Sequence, residues 1–192
     1  MEKSSRHSEI TGDFAEALVL YWLSKSGYEC ACVDHTGIDL IACKKDGSQR
    51  LGISVQGRSR HAGTEKKHVN LHPFENAREA CRSFGCDPFS AIVVDGANVI
   101  RCFLLPLDHL EQIATGKKGT TRYWLMSEEF LEKRRTDPKV RWFELQLNGT
   151  ARYEQRVGRT TPMWAPVYTI RGRLLVAGWQ YQPDADQCGL DP

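Results

Sequence analysis

Apolar positions along the chain recur with two periods, and the changes between them mark out the elements. From Glu9 to Lys25 the spacing is helical. Ile10, Phe14, Leu18 and Tyr21 form one stripe; Val19, Leu20 and Leu23 form a second. A helix apolar nearly all round is expected to be largely buried. Ser26-Gly27 ends it. The period then falls to two. Tyr28–Val33, Ile38–Cys43 and Leu51–Arg58 read as strands, with turns at Asp34–Gly37 and Lys44–Ser48. In the third strand Leu51, Ile53 and Val55 face one way, and Ser54, Gln56 and Arg58 the other.

Residues 59–72 are polar and basic and read as a mobile loop. Pro73–Phe84 returns to helical spacing and stops at Gly85. Ser90–Val94 and Val99–Leu105 are two further strands around Asp95-Gly96. The order αβββαββ predicts an α/β core with a mixed central sheet flanked by helices. Beyond Pro106, short helices are expected at Leu107–Thr115 and Ser127–Arg134. Strands are expected at Val140–Leu147, Val167–Ile170 and Leu174–Gln180. The expected division is a core over 1–106, a mixed α/β extension packed on it over 107–181, and a disordered polar tail over 182–192.

Composition narrows the class. No apolar run approaches the roughly 20 residues of a membrane span, and Met1–Arg6 leads into no apolar signal region. A cytoplasmic location is expected. Seven cysteines, at 30, 32, 43, 81, 86, 102 and 188, show no zinc spacing and read as free thiols, several of them buried. Net charge is only +2, but it is unevenly placed. Residues 44–82 carry nine Lys or Arg (44, 45, 50, 58, 60, 66, 67, 78, 82) against four acids (46, 65, 75, 79). Such a patch suits a phosphate-rich partner, although it also fits a merely solvated face. Arg60, Lys66 and Lys67 are the candidate nucleic-acid contacts. His35, His61, His68 and His72 match no helical or zinc spacing and read as surface or loop residues. Trp164, between Pro162 and Pro166, reads as exposed.

Chemistry concentrates in residues 37–58. Asp39 interrupts an apolar strand between Ile38 and Leu40. A carboxylate there needs a partner or a metal, or it is a strand-end residue held by turn amides. Gln56 and Arg58 share a face of the following strand. Glu16 enters an apolar face of the first helix, where a carboxylate needs a reason such as an ion pair with Arg58 or another cation.

Over residues 9–105 this layout resembles the PD-(D/E)XK nuclease superfamily, most of all its archaeal Holliday-junction-resolvase and restriction-endonuclease-like branches. The resemblance lies in a first helix with an inward glutamate, a strand with Gly-x-Asp (Gly37-Ile38-Asp39), and a following strand ending in Gln56-Gly57-Arg58. It implies a restriction-endonuclease-like core and Mg²⁺- or Mn²⁺-dependent cleavage of DNA by an activated water. Carried across by position, Asp39 falls at the metal-binding aspartate, Glu16 at the first-helix glutamate, Gln56 at the second acid and Arg58 at the lysine. The implied catalytic set is Asp39, Gln56, Arg58 and Glu16. Asp39 and Glu16 would hold the metal, with the Gln56 carbonyl as a neutral ligand. Two departures point to a second reading. Gln56 removes one negative charge, and Arg58 cannot accept a proton. The alternatives are a nuclease-fold module that only binds nucleic acid or protein, and a structural subunit whose extension builds a homodimer.

Overall fold

The structure, a computed structural model, describes residues 5–61, 63–96, 98–116 and 121–147, together with the backbone of 167–170 and 173–176. Its elements follow the order α1 (His7–Lys25), β1 (Tyr28–His35), β2 (Ile38–Lys44), β3 (Arg50–Ser59), β4 (Val69–Asn70), α2 (Phe74–Phe84), β5 (Asp87–Asp95) and β6 (Val99–Pro106). Then come α3 (Leu107–Ile113), β7 (Tyr123–Trp124), α4 (Glu128–Arg135), β8 (Arg141–Gln146), β9 (Val167–Ile170) and β10 (Arg173–Val176). Six strands make one sheet in the order β1-β2-β3-β5-β6-β8. Only β3 and β5 run parallel, with α2 as their crossover, so the sheet is mixed as expected. The core is a mixed sheet with helices on both faces, in the α-β-β-β-α-β-β order expected apart from the short β4. β8, from beyond residue 106, joins the same sheet beside β6.

Both faces of the sheet are covered, which is why Ala91-Ile92-Val93-Val94 is apolar without alternation. Ala91 and Val93 pack with Ala15, Val19 and Leu23 of α1. Ile92 and Val94 pack with Phe74 and Ala77 of α2, Leu107 and Leu110 of α3, and Trp124. Six of the seven cysteines are described, all as free thiols; Cys81 and Cys102 are buried and Cys32 is exposed. Burial pushes the Cys81 thiol up to about 12.

Three local expectations need correction. α1 is not largely buried. Only Ala15, Val19 and Leu23 are buried, with Leu18, Leu20 and Trp22 packing in part against the same core, while Ile10, Phe14 and Tyr21 are 52%, 42% and 57% exposed. A single sheet can cover only one side of a helix. Residues 59–72 are not simply a polar loop. Val69 and Leu71 are buried in the core, and β4 pairs with β7. Third, Ile38 and Leu40, which flank Asp39 and would share one side of a regular strand, do not. Ile38 packs with Ala80 and Cys81 on the α2 side. Leu40, two residues on, packs with α1. The β1–β2 register shifts between Cys32 and His35. Such a bulge rotates the strand, and Asp39 sits where it turns. Residues 182–192, Trp164 and Cys188 lie outside the described residues.

Candidate active site

Pairing of β2 with β3 runs from Cys43–Arg50 to Leu40–Ile53 and ends there. One residue further, the Asp39 carboxylate accepts the Val55 backbone N–H at 2.6 Å. A side chain thereby completes the ladder where the bulge has turned the backbone away. The turn before it is fixed by Gly37, at φ +109°; a Cβ there would lie 2.5 Å from the Asn76 carbonyl oxygen. Asp39 opens into a cleft of about 260 Å³ with Thr36, Ser54, His72, Pro73 and Asn76.

Partial burial raises the Asp39 pKa, against the opposing effects of the Val55 N–H and His72. Glu16, on the sheet side of α1, is also raised, by burial first and then by the charges of Asp39 and Asp13. The two carboxylates therefore lie within one another's field. No ion pair to either is present among the described residues. Close approach of α1 is permitted by Gly57, where a Cβ would stand 2.7 Å from the Thr11 carbonyl oxygen and 2.9 Å from Ala15 Cβ.

Gln56 occupies a different setting. It is only 3% exposed. With its amide oriented to satisfy both ends, its nitrogen donates to the Asn70 carbonyl at 3.0 Å and its oxygen accepts the His72 backbone N–H at 3.2 Å. It ties β4 and the following residues to β3. Arg58 does not line the Asp39 cleft. It lines a neighbouring cavity of about 410 Å³ with Arg60, Lys67, His68 and Asn70. Arg58 Nη1 donates to the Gly57 carbonyl at 2.7 Å, and Arg60 Nη2 to the His68 carbonyl at 2.8 Å. Lys66 stands apart, by Glu128 of α4, whose pKa is held down first by the Arg135 hydrogen bond and last by the Lys66 charge.

The structure thus leaves Glu16 within the field of Asp39 but outside the lining of its cleft, and separately gathers Arg58, Arg60 and Lys67. It also adds His72, whose spacing in the sequence reads as that of a loop histidine. Its side chain is exposed at the cleft rim, yet the protein packed around the ring pushes its pKa down. Arg58 adds to that shift and Asp39 opposes it. The signal available in the sequence was weak: a histidine one residue before a helix-starting proline. Among the described residues no group of three or more His, Cys, Asp or Glu side chains could hold a metal ion. A divalent cation here would rely on Asp39 and Glu16, with substrate and water oxygens completing its shell. That donor set suits Mg²⁺, which commonly takes one or two carboxylates.

No family model matches the chain, and no curated protein matches it. Among solved structures, Hjc of Archaeoglobus fulgidus, a Holliday junction resolvase from an archaeal hyperthermophile, is similar at 18% identity and a TM-score of 0.43. The alignment covers 64% of this chain and 88% of that one. No helix among the described residues is long and apolar enough to cross a membrane.

Proposed function

We propose that the chain is a metal-dependent DNA endonuclease. One observation carries this: the Asp39 carboxylate opens into a cleft and lies within the field of the Glu16 carboxylate, with no ion pair to either among the described residues, directly beside a basic cavity whose lining holds no acid. Opposite charges held apart in neighbouring cavities suit a metal ion and a polyanion, respectively. Asp39 and Glu16 would hold Mg²⁺ or Mn²⁺, which supplies charge neutralisation and Lewis acidity when bound. Asp39 is oriented by the Val55 N–H, and Glu16 by the seat of α1 on β3. Arg58 presents a planar guanidinium fork that attracts and orients phosphate oxygens. His72 is the group at the cleft suited to accept a proton, because its lowered pKa leaves the imidazole neutral at pH 7. Gln56 enters this proposal as the anchor of the segment that carries His72. Lys66 and Lys67 would add phosphate contacts, with Lys67 nearer the site.

The test is cleavage of plasmid and linear DNA with Mg²⁺, with Mn²⁺ and with EDTA. Metal-dependent cutting that disappears in Asp39→Ala is the expected result. The absence of cutting by the unaltered protein with either metal would end this reading. A second reading is favoured by the commitment of Gln56 to β4. With the second acid position given to architecture, the same fold serves as a binding module without hydrolysis. It predicts salt-sensitive DNA retention and no cleavage.

A further inference from the structure

Two guanidiniums sit together at the end of β3, and neither has a carboxylate partner among the described residues. The alternation of the strand puts Arg58 and Arg60 on one face. Both are already positioned by backbone carbonyls: Arg58 by Gly57, Arg60 by His68. The Arg60 backbone N–H is fixed in turn by the Asp95 carbonyl at 2.7 Å. Burial and then Arg58 draw the Arg60 pKa down. Holding like charges close and partly desolvated costs free energy. An anion in the cavity reverses that sign, and a guanidinium fork is shaped for phosphate oxygens.

We propose that this cavity binds a terminal phosphate monoester of a nucleic-acid strand. The proposal rests on the nucleic-acid reading above and deepens it. Charge selects the monoester. A backbone diester carries a single negative charge, whereas a monoester carries about −1.5 to −2 near neutral pH. Arg58, Arg60 and Lys67 supply three positive charges, and His68 and Asn70 complete the lining. Placement also separates this phosphate from any phosphate attacked at Asp39. Asn70 lines the basic cavity and His72 lines the carboxylate cleft. The Gln56 amide fixes the backbone of both, so residues 70–72 form the wall between the cavities. Arg58 and Arg60 are positioning residues: they hold a strand end so that a neighbouring part of the strand reaches the cleft.

The experiment compares labelled oligonucleotides of one sequence with 5′-phosphate, 3′-phosphate or hydroxyl at both ends, as single strands and as duplexes. Binding is read by fluorescence anisotropy in EDTA, so it does not depend on hydrolysis. One phosphorylated arm is expected to bind about tenfold tighter than the hydroxyl-ended strand, and that arm identifies which end is held. Inorganic phosphate should compete, and Arg58→Gln with Lys67→Gln should erase the preference between ends, leaving all strands bound equally and more weakly than by the unaltered protein. Circular dichroism checks that the variant is folded; if it is not, competition by inorganic phosphate against the unaltered protein decides. Equal affinity for all ends overturns the proposal and leaves the endonuclease reading intact. A preference for phosphorylated ends without any metal-dependent cleavage supports the pocket and removes the nuclease.

Discussion

The Asp39 carboxylate serves Val55 as a strand partner, accepting its backbone N–H at 2.6 Å where the β2–β3 ladder ends. The bond explains how a carboxylate survives inside a sheet. It orients one oxygen inward and leaves the group free to offer the other to the cleft.

Asp39→Asn keeps an oxygen for Val55 and removes the charge. Cleavage with Mg²⁺ is expected to vanish while the fold is retained. Mg²⁺ should raise the melting temperature of the unaltered protein, because a ligand that binds only the folded state stabilises it, and should leave the variant unmoved. Thermal scans with and without the metal, beside a cleavage assay, check both. A variant that still cuts removes Asp39 from the chemistry.

The pH dependence follows from the same groups. Folding raises the pKa values of Asp39 and Glu16, so the folded state holds these protons more tightly than the unfolded chain. The slope of unfolding free energy with pH takes the sign of protons bound unfolded minus folded, which is negative here. Their contribution is therefore most favourable in acid. It declines as pH rises from the ordinary carboxylate values of 3.8 and 4.5 to the raised folded values, and is flat above them. Urea titrations between pH 4 and 8 should show this decline blunted in Asp39→Asn. An identical pH profile in the two proteins would contradict it.

Gln56→Ala leaves the Asn70 carbonyl and the His72 N–H without their buried partner, at an expected cost of about 1–3 kcal/mol. Gln56→Glu, which restores the acid suggested by the resemblance, is expected to do harm. A carboxylate can accept from His72 but cannot donate to Asn70, and its charge is buried beside that carbonyl. Chemical denaturation measures both. A stabilised or more active Gln56→Glu protein would show that the amide is not the anchor described.

His72→Ala is expected to lower kcat by about 10²-fold, within the usual range for a proton-transfer group, with little change in DNA affinity. Gln56 grips the backbone of residue 72, so removing the ring leaves the anchor in place. Loss of melting temperature together with loss of DNA binding would give His72 a structural part instead.

The exposed α1 stripe offers a homodimer face other than the extension expected from the sequence. Phe14→Glu and Tyr21→Glu should move stability by no more than about 0.5 kcal/mol, as is usual for exposed positions, and should shift sedimentation towards monomer. Unchanged sedimentation would place any dimer elsewhere.

Most of the core was legible because each element carried its own period. α1, β2, β3, α2, β5 and β6 fall within a few residues of expectation. Asp39 was legible because a carboxylate in an apolar strand is chemically costly wherever it sits. The rest depended on tertiary contacts. The outer stripe of α1 has the same spacing as a buried one, and only the number of sheets available decides which side is covered. β4 is two residues long and is defined by Gln56 and β7, not by its own pattern. The bulge at β1–β2 leaves no trace in the alternation of either strand. Arg58 was placed correctly on its strand face, yet which cavity it lines depends on the path of residues 60–72.

The contact at Gly57 sets a limit of another kind. What stands in the way of a Cβ there is chiefly the carbonyl oxygen of Thr11, part of the α1 backbone. A smaller residue at Ala15 would not clear it, and no compensating change on the helix surface can. Any side chain at 57 must lift α1 and carry Glu16 with it. The spacing between the two carboxylates is thus a mechanical tolerance, set where helix meets strand by a residue with no charge and no polar side chain.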